Sequence, residues 1–153
     1  MTTAEYNRSV HLHADRVYRF ILKNIKDEDK AKDIVQDAYE RMWIKAANVR
    51  FEKSRAYLFT TAYNIMIDQV RRERKKADFE TVNLDEWQHD DQYSDIKEIM
   101  NKALDRLPQD QKSAVLLRDY EGYSYKEIEE ITGMSESQVK VYIYRARLKL
   151  QEY

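Results

Sequence analysis

The chain has 153 residues, of which 42% are hydrophobic, 12% aromatic and 36% charged. Two Gly, one Pro and no Cys argue against a turn-rich β-sandwich or barrel, exclude disulfides and thiolate metal sites, and favour an all-helical protein. Lys and Arg number 27 against 28 Asp and Glu, a net charge of −1, which taken alone speaks against a free-standing nucleic-acid binder.

From Tyr6 to about Asn24, the apolar residues Val10, Ala14, Val17 and Ile21 recur at helical spacing and predict a first helix. Lys26 to Asp29 is a polar break. A second helix is expected from about Asp29 to Ala47, with Ala31, Ile34, Val35, Ala38, Tyr39, Met42 and Trp43 on one face. Asn48 to Lys53 reads as a short loop. Ser54 is expected to cap a third helix that carries Tyr57, Leu58, Thr61, Ile65 and Asp68 and continues into Arg71, Arg72, Arg74, Lys75 and Lys76. From Ala77 to about Gln92 the periodicity fails and acidic and amide residues dominate, the composition of a linker, although Phe79, Val82, Leu84 and Trp87 offer apolar contacts within it.

A second bundle is expected beyond the linker. Ile96, Ile99, Ala103 and Leu107 mark a helix over Asp95 to Arg106, and Pro108 sits where a helix starts. The next helix carries Ala114, Val115, Leu116 and Leu117, and Glu121-Gly122-Tyr123 turns the chain. Ser124 followed by Glu127, and Ser135 followed by Gln138, both have the form of a capping box. Gly133 lies between the two helices that these boxes open. The expected fold is therefore all-α, two small helical bundles joined by an acidic linker, divided as 1–76, 77–93 and 94–153.

Charge is segregated along this plan. The cluster from Arg71 to Lys76 precedes Asp78, Glu80, Asp85, Glu86, Asp90, Asp91 and Asp95, and Lys140, Arg145, Arg147 and Lys149 follow near the end. Two positive surfaces are held apart by a negative connector. Tyr125 to Leu150 reads as helix, Gly turn and capped helix, a helix-turn-helix. In its last helix Val139, Ile143 and Ala146 form the buried stripe, while Ser137, Lys140, Val141 and Tyr144 fall on the other side, flanked by Arg145 and Arg147. A basic final helix behind two capping boxes favours DNA binding over a plain helical hairpin. No His-Glu motif, Gly-rich phosphate loop or Ser-His-Asp grouping is present, so neither an enzyme, a cofactor nor a metal site is expected. No apolar run approaches bilayer-spanning length, and MTTAEYNRSV at the N-terminus lacks a signal peptide's apolar stretch, so a cytoplasmic protein without membrane insertion is expected.

The segments Leu104 to Pro108 (LDRLP), Leu116 to Ile128 (LLRDYEGYSYKEI) and Arg145 to Leu150 (RARLKL) resemble the C-terminal domain of bacterial RNA polymerase sigma factors, in the extracytoplasmic-function (ECF) branch of the sigma-70 family. Ala31 to Trp43 (AKDIVQDAYERMW) and Arg55 to Lys75 independently resemble that family's second region. The resemblance spans nearly the whole chain in the family's order. It implies that Asp33, Gln36 and Asp37, which share a helix face, dock on core RNA polymerase, with Arg41 one turn further along. It implies that Asn64 reads an extruded base of the −10 element, with Val49 or Phe51 as the apolar wall of its pocket, and that Arg71, Arg72, Arg74, Lys75 and Lys76 grip phosphates beside it. For the −35 element it implies Lys140, Val141, Tyr144 and Arg145 at the bases, Arg118, Ser137 and Arg147 at phosphates, and Gln138 in the same surface. The implied partners are core polymerase, promoter DNA and an anti-sigma protein, with the free chain a monomer. Ser137 and Gln138 stand where the family often has Gly-Thr, Val141 where it often has Ser, and Tyr57 in place of a frequent Trp. A stand-alone helix-turn-helix repressor or activator is one competing reading; a repressor should bind duplex operator without polymerase, usually as a two-fold dimer, and a pure interaction protein is another, against which the cationic cluster and Asn64 argue.

Overall fold

The computed structural model describes residues 1–79 and 96–152, with the backbone alone at 77–79. All regular elements among the described residues are helical: α1 (Thr3–Ile25), α2 (Glu28–Ile44), α3 (Ser54–Phe79), α4 (Ile96–Asp105), α5 (Gln109–Val115), α6 (Tyr125–Thr132) and α7 (Glu136–Leu150). None of them is long and apolar enough to cross a membrane.

Local chemistry sets the ends. Thr2 and Glu5 close a capping box on α1. Lys26 ends that helix in the left-handed region (φ 58°), its amide donating to Leu22 O at 2.8 Å. Asp27 then accepts from Lys30 N at 3.0 Å and caps α2, so the break is two residues rather than four. A connection that short leaves α1 and α2 antiparallel neighbours. Between α2 and α3 lie two single turns, Ala46–Asn48 and Phe51–Lys53. The second runs directly into α3, so Ser54 is already helical (φ −64°, ψ −37°). It is buried, and its hydroxyl donates to Phe51 O at 2.7 Å instead of accepting as an N-cap; with no free helix start there is nothing to cap. α3 runs three residues into the expected connector, whose remaining apolar candidates Val82, Leu84 and Trp87 lie outside the described residues.

The core is built from Val17, Phe20 and Ile21 of α1, Ile34, Ala38 and Met42 of α2, and Leu58, Phe59, Ala62 and Met66 of α3. It does not stop at the end of this three-helix half. Ala114, Leu117, Tyr123, Ile128, Ile131, Val139 and Ile143 from the C-terminal half belong to the same cluster. Phe20, Phe59 and Tyr123 form a chain of ring contacts across the seam, with centroids 5.5 and 5.4 Å apart, a geometry that adds to simple burial. α6 packs on α3, and α4 and α5 on α1. A smaller cluster of Leu104, Leu107, Val115, Leu116 and Ala146 stays within the C-terminal half.

Three residues expected in the core are exposed. On α4 the buried side is Ala103 and Leu104, whereas Ile96 and Ile99 are 79% and 46% exposed. On α2, Trp43 is half-exposed and touches the Tyr6 ring edge-on. α5 passes into a wider turn over Leu116–Tyr120, which carries the chain to Gly122 (φ 74°), a backbone conformation glycine adopts without strain.

Candidate nucleic-acid and polymerase interfaces

The helix-turn-helix is assembled by the two capping boxes. Ser124 Oγ accepts from Glu127 N at 3.1 Å while Glu127 Oε1 accepts from Ser124 N at 3.0 Å. Ser135 and Gln138 repeat the exchange at 3.2 and 2.9 Å. Gly133 (φ 76°) makes the turn between them, its amide donating to Glu129 O at 2.9 Å. Thr132 Oγ1 secures the turn by donating to Ile128 O and accepting from Met134 N. The hydrogen bonds from Ser124, backbone first and then side chain, hold the Glu127 carboxyl below its ordinary pKa. This stabilisation is present above the carboxylate range and fades as pH falls through it. Ser124→Ala is therefore expected to cost about 1 kcal/mol at neutral pH. Acidification should erode its stability slightly less than that of the parent, because the variant keeps the backbone bond to the Glu127 carboxylate and lacks only the smaller side-chain contribution; melts at neutral and acid pH measure both.

On α7 the stripe Val139, Ile143 and Ala146 is buried, and Ser137, Gln138, Lys140, Val141, Tyr144, Arg145 and Arg147 are all exposed. Their charges are not equally available. Lys140 Nζ pairs with Glu136 at 2.7 Å and Arg147 pairs with Asp119 at 2.5 Å. Arg145 makes no ion pair among the described residues. Gln138 spends its carbonyl oxygen on the cap. Arg118 differs most from expectation: half-buried, it donates from Nη1 to Tyr123 O at 2.9 Å and lies over the Tyr125 ring at 4.9 Å. It braces the turn before α6.

In the N-terminal half, Asp33 and Gln36 are exposed and Asp37 is half-buried on one face of α2. Arg41 bonds Asp37 through Nε and Nη2 at 3.3 and 3.4 Å. Beside this face, Gln36 also lines a groove between α1 and α2 with Tyr18, Val35 and Tyr39. Asn64 is exposed on α3 and borders a cavity lined by Arg41, Ile44, Lys45, Tyr57 and Thr61. Val49 and Phe51 do not line it. Val49 is buried with its carbonyl accepting from the Met1 amino group at 3.0 Å, and Phe51 lies under Arg8 with 5.5 Å to the ring centroid. The walls are Tyr57 and Thr61, which share Asn64's helix face at i−7 and i−3, a spacing visible in the sequence. Arg71, Arg72, Arg74, Lys75 and Lys76 are all exposed on the continuation of the same helix, where Glu73 among them pairs with Lys30.

The model of sigma-70 region 2 matches residues 10–76, and that of sigma-70 region 4 matches residues 97–150. The chain is 33% identical over 141 residues to the RNA polymerase sigma factor SigV of Bacillus subtilis, covering 90% of this chain and 83% of that one. It is 28% identical over 145 residues to the ECF RNA polymerase sigma factor SigM of the same organism, covering 92% and 89%. Among solved structures it is similar to the sigma factor RpoE of Bartonella quintana in complex with the anti-sigma factor NepR, with a TM-score of 0.77, 28% identity, and coverage of 96% of this chain and 94% of that chain. With both regions matched in order, the second containing the helix-turn-helix described above, the chain belongs to the ECF branch of the sigma-70 family, the initiation factors that bind core RNA polymerase and direct it to promoters.

Proposed function

We propose a division of labour within this initiation factor that follows its two halves. Asp33, Gln36 and Asp37 form the face that docks on core polymerase, with Arg41 holding Asp37 in place. Asn64 reads a base flipped out of the −10 element. Its amide offers donor and acceptor together, Tyr57 supplies a ring for stacking, and Arg41 and Lys45 supply positive charge beside the phosphates. The exposed cations from Arg71 to Lys76 hold the adjoining backbone without reading sequence. Lys140, Val141, Tyr144 and Arg145 face the bases of the −35 duplex, Ser137 and Arg147 its phosphates, and Gln138 borders them. Chemistry belongs to polymerase, and the chain acts in the cytoplasm.

The observation that carries this reading is the occurrence, on one chain and in family order, of a cavity bordered by an exposed Asn64 and of an exposed basic recognition helix. An anti-sigma protein is the further partner. The fold of this chain, both halves included, is similar to that of a sigma factor in complex with one. The reading is tested by transcription in vitro with core polymerase on a genomic library, mapping start sites with and without the chain. A set of starts that requires the chain supports it; dimeric operator binding without polymerase overturns it. Within that assay Asn64→Ala is expected to weaken open-complex formation by about 1–3 kcal/mol, roughly 5- to 150-fold, while core binding is unchanged. Permanganate footprinting of the melted −10 region checks this.

A further inference from the structure

Three of the nine large hydrophobic side chains exposed among the described residues lie on α7: Val141, Tyr144 and Leu148, 40%, 65% and 46% exposed. They stand at i, i+3 and i+7. At about 100° of turn per residue, all three fall within a sector of roughly 60°. The buried Val139, Ile143 and Ala146 lie on the opposite side, so the strip is the outermost line of the helix. Apolar side chains scattered singly over a surface are ordinary; three aligned on one helix face are not scattered. Cations flank the strip on both sides. Arg145 and Lys149 lie roughly 40° and 80° to one side of Val141, and Lys140 and Arg147 roughly 100° and 120° to the other. All four are exposed.

We infer that Val141 and Tyr144 read C5-methyl groups of pyrimidines in the major groove, so that this chain selects its −35 duplex partly by the presence of a methyl and not only by hydrogen bonds. The inference rests on the assignment of α7 to the −35 duplex above. A helix seated in the major groove has a phosphate backbone on each side and base edges beneath its outermost line. The flanking cations then meet phosphates, and the strip meets the bases. Most of what the bases present there donates or accepts a hydrogen bond; the C5-methyl of thymine is the apolar group that projects into the groove. Val141 has no polar atom to offer. Set against N7, O6, N6 or N4 of another base it displaces water and returns no hydrogen bond, which is a loss. Set against a methyl it buries apolar surface, which is a gain. Tyr144 offers its ring to a methyl in the same way and keeps a hydroxyl for water or backbone.

Charge favours DNA over a protein as the occupant of the strip. Lys140, Arg145, Arg147 and Lys149 border it against the single carboxylate of Glu136 on the same helix, an arrangement complementary to two phosphate strands. Recognition helices reach base edges through their N-terminal residues, so Val141 and Tyr144 are the readers, and Leu148, one turn further on, marks the end of the strip. The two readers are about 4.5 Å apart along the helix axis, comparable with the roughly 3.4 Å step between bases, so each meets its own base pair. A serine at 141, the residue frequent in the family, carries a hydroxyl that bonds to several base edges; valine narrows the choice to a methyl. Cytosine methylated at C5 presents the same group, so such a base in place of the thymine recovers the contact that plain cytosine lacks.

Duplexes randomised over the −35 window are selected with holoenzyme reconstituted from core polymerase and the full chain, and in parallel with the free chain. On the selected duplex each thymine is replaced singly by deoxyuridine, which keeps the pairing and removes the methyl. One or two positions are expected to lose about fourfold in affinity, the worth of one buried methyl. Val141→Ser is expected to abolish that loss at one position and Tyr144→Ala at another, whereas Val141→Thr, which keeps a methyl, retains it. With cytosine at the Val141 position, methylation at C5 should strengthen binding of the parent at least twofold and leave Val141→Ser unaffected. Val141→Gln, a better helix former than serine, replaces Val141→Ser should that variant lose helicity. Uracil tolerated by the parent at every position overturns the inference, as do uracil losses identical in the parent and both truncations, the result expected if groove shape or a protein contact accounts for the strip. Duplexes selected by a dimer of the free chain and not by holoenzyme would count against the sigma reading instead, and the uracil scan on them would still judge Val141 and Tyr144. Selection of no sequence by either form overturns both.

Discussion

Asp33→Arg combined with Asp37→Arg is expected to abolish binding to core polymerase while leaving the protein folded. Asp33 is exposed and Asp37 half-buried, and neither contributes to the core of α1, α2 and α3. The local cost is small. Asp37 now pairs with Arg41 one turn on, and replacing an i,i+4 attraction by a repulsion is worth a few tenths of a kcal/mol. At a docked interface the same reversal juxtaposes like charges away from water, where the penalty reaches several kcal/mol, a loss of at least two orders of magnitude in affinity. Pull-down of core polymerase, with circular dichroism to establish folding, gives the answer. Undiminished capture by the folded double variant removes Asp33 and Asp37 from the docking face. The nearby groove with Gln36, Tyr18 and Tyr39 would then be the next surface to vary.

What was legible in the sequence was what is decided within one turn of helix. The capping boxes at Ser124 and Ser135, the left-handed Gly133 and the stripe Val139, Ile143, Ala146 all follow from i, i+3 and i+4 chemistry, and each stands as expected. Ile96, Ile99 and Trp43 did not reveal their exposure, because periodicity defines a stripe without saying whether anything covers it. The walls of the Asn64 cavity were misjudged because Val49 sits in a connection too short for a pattern, and the turn at Ala46–Asn48 directs it inward. The seam was invisible for a related reason. Asn24 and Ser113 are 89 residues apart, and each alone reads as a polar residue at a helix end or surface. Only the packing of α5 on α1 makes them partners.

Arg145→Ala is expected to be the most damaging single truncation on the recognition helix. α7 presents three cations near the expected base-reading surface, and intramolecular pairing ranks them. Lys140 is bound to Glu136 and Arg147 to Asp119, so either must give up a partner before it meets DNA, and truncation forfeits only the difference. Arg145 has no ion pair to surrender among the described residues, so its whole contact is a gain. If it bonds a guanine edge, its loss costs about 1–3 kcal/mol on the preferred −35 sequence and flattens preference at that position. Arg147→Ala should weaken all sequences alike and reduce the salt slope by about one. Glu136→Gln should strengthen binding by freeing Lys140 and removing a carboxylate from the proposed DNA-facing surface, with a steeper salt dependence as one more cation is engaged. Arg118→Ala belongs to a different class. Its guanidinium is committed to Tyr123 O and the Tyr125 ring, so the expected effect is a lower melting temperature with base preference unchanged. Selection of −35 duplexes by reconstituted holoenzyme, repeated at two salt concentrations for each variant, separates these outcomes. Altered base preference in Arg118→Ala with none in Arg145→Ala would reverse the ranking and place Arg118, rather than Arg145, at the bases.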